Sequence, residues 1–166
     1  MKYLRALCCC LALLAVPAGA AAQDRLGGHF GAVFPLVTHA NGETTTISDD
    51  FVIGFPMGIT VKTGQRWAFD LELVPVIQNQ PLNVSLTVHP GVIRSLGGGY
   101  AAGVRMAFDV NQASWGFTPL VNRAFAIPGS SCAWFVEGVV PIRFQQDSSG
   151  ENHTSIGLAV HTGIGF

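Results

Sequence analysis

Charged residues are scarce in this sequence, and long apolar runs are missing beyond its N-terminal region. Lys, Arg, Asp and Glu together make up 11% of the 166 residues, whereas soluble domains contain about 25%. No segment after residue 22 approaches the roughly 18 apolar residues that indicate a transmembrane helix. Only helices and closed barrels satisfy every backbone polar group within lipid. The composition therefore favours a β-barrel in a membrane over a soluble domain or a helical membrane protein.

Other absences exclude further classes of protein. Cys132 is the only cysteine after residue 22, so no internal disulfide can form there. The same region has seven basic and ten acidic residues, a net charge of −3, and no basic patch that would indicate a nucleic-acid partner. The histidines lack metal-ligand spacing on any one segment. We therefore predict no nucleic acid, no metal and no cofactor.

The N-terminus has the features of a secretory signal peptide. Lys2 and Arg5 precede an apolar run over residues 6–16, and small residues follow up to Ala22. Cleavage is predicted after Ala22, with Ala20 as the alternative. The predicted domains are a signal peptide over 1–22 and one β-barrel over 23–166.

Turn-like residues divide the region after the signal peptide into eight segments. Each is close to the length of a tilted transmembrane strand, about 9–11 residues in the apolar zone, and no helical period competes with the two-residue period. The predicted fold is all-β, an eight-stranded antiparallel up-and-down transmembrane barrel. Its predicted strands cover 27–38, 50–62, 67–78, 84–96, 99–111, 114–127, 132–146 and 153–166.

Within these segments, bulky apolar residues alternate with small or polar ones. The opposing positions are mostly Gly, Ala, Ser and Thr with a few charges, which would make a poor solvated surface but would fill a narrow lumen. Eight strands leave an interior just wide enough for side chains. We therefore predict that the bulky set faces lipid. A soluble barrel of the lipocalin type, with its bulky face inside and an apolar ligand, is an alternative.

The few charged residues of the strands mostly take the small-residue face. A charge buried there needs a partner, because an unpaired one costs several kcal/mol. We therefore predict an ion-pair and hydrogen-bond network that fills the lumen, and His29 faces the same way. The predicted network residues are Lys62, Asp70, Glu72, His89, Arg105, Asp109, Glu137, Arg143 and His161.

In this pattern the chain resembles the small eight-stranded bacterial outer-membrane barrels, such as the OmpA transmembrane domain and OmpX. The resemblance is strongest at the C-terminus, HTSIGLAVHTGIGF, where Leu158, Val160, Ile164 and Phe166 match the alternating signal that the barrel-assembly machinery reads; Thr162 departs from it. It implies a monomer in the cell outer membrane, in contact with outer-membrane lipids and lipopolysaccharide. It also implies periplasmic termini, short turns after the second, fourth and sixth strands, and longer outer loops.

Prolines and two arginines conflict with this pattern. Proline removes a ladder hydrogen bond, and bulges are predicted to accommodate the prolines, so faces beyond them could slip by one residue. Arg94 and Arg123 fall on the lipid face near a turn, unless such bulges turn them inward. The strand prolines are Pro35, Pro56, Pro75, Pro90, Pro119 and Pro141.

For function, the leading hypothesis is a non-enzymatic barrel of structural, surface-interaction or narrow-pore type. The mostly polar stretch between Val37 and Asp50 is its predicted contact surface. The rival is an enzyme that modifies lipid A, because His153 and Ser155 have the His-x-Ser spacing of outer-membrane deacylases, with Glu151 nearby.

Overall fold

The protein is described by a computed structural model that covers residues 25–79, 81–110, 112–146 and 149–166. The predicted signal peptide lies outside the described residues. Within them, all regular structure is antiparallel β-strand, and there is no helix that could cross a membrane. The strands are β1 Leu26–Ala40, β2 Glu43–Thr46, β3 Val52–Gly54, β4 Met57–Lys62, β5 Trp67–Asn79, β6 Leu82–Gly97, β7 Tyr100–Asp109, β8 Ser114–Ala126, β9 Ala133–Val139, β10 Ile142–Gln146 and β11 Asn152–Gly165.

These strands close into a ring of eight. β3 and β4 are two parts of one interrupted strand between β1 and β5, and β9 and β10 are likewise two parts of one strand between β8 and β11. The remaining ring strands each pair with the strands that precede and follow them in the chain, and β11 pairs with β1 to close the ring. β2 lies outside this ring. The all-β antiparallel prediction is therefore confirmed, and each predicted segment corresponds to one position in the ring.

The ring closes between the two ends of the described chain. Gly28 N donates to Phe166 O and Phe166 N donates to Gly28 O, both at 2.9 Å. We call the end of the ring at which Gly28 and Phe166 lie the terminal end, and the other end of the ring the opposite end. When paired residues are followed from strand to strand once around the ring, the path returns to β1 about ten residues beyond the residue where it started. This stagger requires strands that are tilted relative to the axis of the ring.

The two faces of the ring differ as the alternation predicts. The inner face buries charged groups, including Asp70 at 1% exposure and His161 at 2%. The outer face leaves large apolar side chains open, such as Phe30 at 56% and Trp115 at 50%. The bulky set therefore points outward.

The expected bulges at the prolines are wrong in all but one case. The β1–β11 register shifts by one residue between Pro35 and Val37. The strands are interrupted at Pro56 and Pro141, but their register with the neighbouring strands is the same before and after each interruption. Pro90 lies where paired residues are missing between β6 and β7, and the register is the same on both sides of that gap. Face assignments therefore do not slip beyond these prolines.

Four prolines keep one of the two hydrogen bonds that join a pair of residues on neighbouring strands. In a hydrogen-bonded antiparallel pair each residue both donates and accepts, and proline can only accept. The carbonyls of Pro56, Pro75, Pro119 and Pro141 accept from Gly31, Phe55, Val140 and Gly157 at 2.8–3.0 Å. Each site therefore loses one bond, which the surrounding ladder tolerates.

Arg94 and Arg123 remain on the outer face. Their guanidinium carbons lie over aromatic rings, with Arg94 5.5 Å from the Trp67 centroid and Arg123 4.1 Å from that of Tyr100. The alternative in which bulges turn them inward is therefore wrong, since the register is unbroken from Pro90 to Arg94 and from Pro119 to Arg123. The β6–β7 register shifts only beyond Arg94, between Ser95 and Gly97.

The connections follow the expected lengths only in part. At the opposite end, β5 ends at Asn79 and β6 already begins at Leu82, whereas the link after β8 at the terminal end is longer and spans 127–132. The expected loop after β1 contains a hairpin, in which β2 pairs with β1 across Asn41 and Gly42 at φ 54° and 80°. Asn-Gly is the preferred pair for such a two-residue turn, so this signal was present in the sequence.

Candidate functional site

Arg105 on β7 lies at the centre of a charge network inside the ring. Its Nε donates to Asp70 Oδ2 at 2.8 Å and its Nη1 to Glu137 Oε1 at 2.7 Å, and its Nη2 lies 3.4 Å from Glu72 Oε2. All four side chains are buried. Asp70 and Glu72 reach the same guanidinium because they are two residues apart on β5 and so share a face. One cation thus bridges two walls of the ring.

Three histidines extend this network around the ring. His29 Nε2 lies 2.9 Å from Glu72 Oε2, and His89 Nδ1 lies 3.2 Å from Glu72 Oε1. His161 Nδ1 lies 3.3 Å from Glu137 Oε1. Imidazole can donate to a carboxylate in its neutral or its protonated form. These contacts therefore persist in either state.

The charges of the inner network do not balance with neutral histidines. Asp70, Glu72 and Glu137 bring three negative charges to the single positive charge of Arg105. An uncompensated buried charge is costly. The excess negative charge is stabilised by hydrogen bonds instead, because each carboxylate also contacts a histidine ring nitrogen or a neutral donor.

Inward-facing glycines make room for the large polar side chains. A Cβ at Gly91 would lie 2.6 Å from Arg105 Cγ, and one at Gly31 would lie 2.9 Å from His161 Nε2. A Cβ at Gly58 would overlap the His29 ring. These small residues of the inner face are therefore matched to particular side chains on the neighbouring strands.

A second polar group lies towards the opposite end. Arg143 Nη1 donates to Thr118 Oγ1 at 3.0 Å, and its Nη2 lies 3.4 Å from His89 Nε2. Asp109 accepts from Thr87 Oγ1 at 2.7 Å and attracts Arg143 electrostatically. His89 therefore connects this group to the inner network.

The structure thus brings together eight of the nine residues predicted to form the network, in two linked groups. Lys62 is the exception, because it lies at the last position of β4 and its side chain is exposed at the mouth of the terminal end. Within the described part of the chain, no ion pair involves Lys62. The alternation correctly identified the face of the strand on which Lys62 lies, but not its position along the axis of the ring.

Sequence reasoning missed three neutral members of the site. Thr60 Oγ1 donates to Asp70 Oδ1 at 2.6 Å, and Asn122 Nδ2 donates to Glu137 Oε2 at 3.4 Å. Phe135 packs edge-on against the rings of His29 and His161. All three have inward parity in their strands, which was the available signal.

The network separates two cavities. The one towards the terminal end is about 200 Å³ and is lined by Thr60, Asn122 and Phe135 among others. The one towards the opposite end is about 130 Å³ and has valine walls, including Val74 and Val139. Both are bounded by Arg105, Glu137 and His161. The charge network therefore forms a partition across the interior.

One group in the described part of the chain has the residue types and spacing of a metal site. Candidate ligand atoms of His29, Asp70 and Glu72 lie within 4.8 Å of one another. Arg105 already pairs with both carboxylates, and its charge opposes a second cation. The ion-pair network accounts for this arrangement without metal binding.

The residues of the predicted C-terminal assembly signal lie on β11 and just beyond it. Leu158, Ile164 and Phe166 are exposed on the outer face, and Val160 is half-buried. Thr162, which departs from the pattern, accepts from Trp134 Nε1 at 2.9 Å. Recognition by the assembly machinery remains a prediction.

The suggested enzymatic residues lie at the opposite end. His153 and Ser155 occupy alternate positions of β11 and both face inward, whereas Glu151 is exposed before the strand. Catalysis by this pair remains an untested hypothesis.

No protein-family model matches the chain, and neither a curated protein nor a solved structure is detectably similar to it. The resemblance to small outer-membrane barrels therefore remains one of pattern.

Proposed function

We propose that this chain is an integral outer-membrane β-barrel of non-enzymatic type, with its interior closed by the charge network. The observation that carries the proposal is the reversed polarity of the ring. Charged side chains such as Arg105 and Glu137 are buried, while large apolar side chains are exposed on the outer face all around. Soluble monomers rarely expose contiguous apolar patches of more than a few hundred Å², and a bilayer would cover this surface.

The distribution of aromatic residues on the outer face supports the same proposal. Trp67, Tyr100 and Trp134 lie near the terminal end, and Trp115 and Phe144 near the opposite end. Aromatic side chains are enriched at both interfaces of a membrane barrel. On β5 the outward-facing residues between the two groups of aromatic side chains span 67–77. This length suits a strand that crosses the apolar zone of a membrane.

The soluble, lipocalin-like alternative is less well supported. It requires the bulky apolar set to line an internal ligand cavity, whereas the inner face carries the charge network and the bulky set is exposed. The internal cavities of about 200 and 130 Å³ are small for an apolar ligand.

The partition favours a structural or surface-interaction role over a pore. Arg105 bridges β5 and β9 across the interior, so a hydrated ion would have to break buried charge pairs to pass. At the opposite end, the β1–β2 hairpin extends the chain with polar residues, including His39, Glu43 and Thr44. This hairpin is the proposed contact surface for other molecules.

Membrane insertion is tested with variants that each retain one of the three tryptophans. Trp67, Trp115 and Trp134 are all exposed on the outer face, so lipids carrying bromine on their acyl chains should quench each of them in vesicles. The folded protein should also migrate differently from the boiled protein in detergent gels. Unquenched tryptophans together with a soluble periplasmic fraction would overturn the proposal.

Planar-bilayer recording separates the closed barrel from the narrow pore. The closed barrel should give no steady conductance, because the network fills the section between the cavities. Steady conductance steps that disappear when the protein is omitted would favour the pore instead.

A further inference from the structure

Arg94 and Arg123 are exceptional on the outer face of the ring. Among the described strand residues, no other Lys, Arg, Asp or Glu side chain lies on that face. Both lie near the terminal end, and no carboxylate within the described part of the chain pairs with either. Two uncompensated cations on an apolar surface call for an anionic partner.

The two arginines are neighbours across β7. Arg94 pairs with Ala102, and Arg123 pairs with Tyr100, the adjacent outward position on the same strand. Strand spacing and rise place their Cα atoms roughly 12 Å apart. The outward residues of β7 between them are Ala102, which is small, and Tyr100, whose ring contacts Arg123.

Aromatic contacts hold both guanidinium groups in place. Arg94 lies over the Trp67 ring, and Arg123 lies over the rings of Tyr100 and Phe125 at 4.1 and 5.2 Å. Arg123 Nε is buried without a hydrogen-bond partner in the described part of the chain. The remaining N–H groups of the two side chains are free of carboxylates and suited to bidentate binding of phosphate.

An apolar groove begins one outward position beyond Arg94. It has a volume of about 220 Å³ and is lined by Phe69, Pro90, Val92 and Met106, with Val104 and Gly91. It lies where paired residues are missing between β6 and β7 at Pro90. A groove of this kind, with Val92 at its end nearer Arg94 and Met106 closer to the middle of the strands, suits an acyl chain.

We propose that Arg94, Arg123 and this groove form a binding site for an anionic glycerophospholipid, with its phosphodiester at the arginines and one acyl chain in the groove. The proposal rests on the proposed membrane function. Charge complementarity selects an anionic over a zwitterionic headgroup, because a choline or ethanolamine group would bring a third cation to the two arginines. The aromatic residues at the same level match the headgroup region of a bilayer.

The test uses the tryptophans as reporters at opposite ends of the ring. One variant keeps only Trp67, which contacts Arg94, and another keeps only Trp115 at the opposite end. Each is reconstituted in phosphatidylcholine vesicles that contain a small fraction of brominated phosphatidylglycerol or of brominated phosphatidylcholine. Trp67 should show a preference of about fivefold or more for phosphatidylglycerol, on the scale expected for basic residues at an anionic membrane surface, and Trp115 should show none.

The double variant Arg94→Gln/Arg123→Gln should lose the preference at Trp67. The matched control, Lys62→Gln/Arg66→Gln, removes two positive charges at the same end, one in the mouth of the ring and one in a turn, and should retain it. Heat-dependent gel migration checks folding of each variant. Because the comparison of Trp67 with Trp115 already tests the site, the result does not depend on the double variant folding.

Failure of this proposal is distinguishable from failure of the proposed function. Absence of quenching by either brominated lipid would overturn membrane insertion itself. Equal quenching of Trp67 by both lipids, or a preference unchanged in Arg94→Gln/Arg123→Gln, would overturn the lipid site alone. Loss of the preference in excess inorganic phosphate at constant ionic strength would assign the arginines to a free anion and would also overturn the lipid site.

Discussion

The inner and outer faces of the ring come from the same strands but follow opposite rules of packing. On the inner face, large polar side chains such as Arg105 and His161 are surrounded by partners and by glycines that make room for them. On the outer face, apolar side chains such as Leu71 and Trp115 are exposed. The inner face therefore depends on particular pairings, whereas most of the outer face depends on apolar character, apart from contacts such as Arg123 over Tyr100.

This difference predicts where substitutions are costly. An inner substitution should act through the loss of a specific charge pair or the blocking of a specific space. An outer substitution should act through its polarity and its depth in the proposed membrane, with little dependence on shape.

The largest effect is expected at the centre of the inner face. Arg105→Leu leaves the buried carboxylates Asp70, Glu72 and Glu137 without their guanidinium, which should cost about 3–5 kcal/mol of unfolding free energy. The measurement is the urea midpoint in detergent or lipid, followed by tryptophan fluorescence. Lys62→Leu, at the exposed mouth, is the control and should have little effect. An unchanged midpoint for Arg105→Leu would remove Arg105 from the structural network.

On the outer face, depth should determine the cost of a charge. Leu71→Arg lies near mid-height of β5 and should cost about 2–4 kcal/mol in a bilayer, whereas Leu96→Arg lies beside the terminal-end turn and should cost about 0–1 kcal/mol. Reversible unfolding in lipid vesicles measures both. In a soluble protein both substitutions would be at exposed positions and nearly neutral, so equal and small effects would contradict the proposed contact of the outer face with lipid.

A methyl group should distinguish the two faces at smaller scale. Gly91→Ala would place its Cβ 2.6 Å from Arg105 Cγ and 2.7 Å from the Val104 carbonyl oxygen, so we expect a loss of about 1–3 kcal/mol. Gly138→Ala is the control, because its Cβ would meet open space on the outer face. The urea midpoints of the two variants give the comparison, and equal midpoints would indicate that the inner face is not tightly packed.

The smallest effect is expected in the loop after β2, outside both faces. The Thr46 hydroxyl and its backbone N–H donate to Asp49 Oδ2 at 2.7 and 2.8 Å, and these bonds lower the pKa of Asp49. Because the folded-state pKa is depressed, this contribution is present above the unfolded-state pKa and is lost as the pH falls through the folded value. Thr46→Val should raise the pKa of Asp49 in an NMR titration, and Thr45→Val should not. Identical titration curves for the two variants would contradict the role of the Thr46 hydroxyl.

The sequence predicted the strands well because the two-residue period is a local property of the chain. The alternation in β5 and β11 identified which residues share a face, and the composition of the two faces indicated which one points outward. Proline chemistry was misjudged, because whether Pro56 needs a bulge depends on its partner Gly31, which lies 25 positions away in sequence. A single accepted hydrogen bond keeps that register.

What the sequence alone determined about this protein is its all-β class, its eight ring positions and the polarity of each face, since these follow from composition and from a period that any strand imposes. Only the tertiary structure decided the pairings. Arg105 could have met any inward carboxylate, and closure of β11 against β1 with its stagger selected Asp70, Glu72 and Glu137. The same stagger placed Lys62 at the mouth and outside the network, because the height of a residue in a closed ring depends on every strand around it.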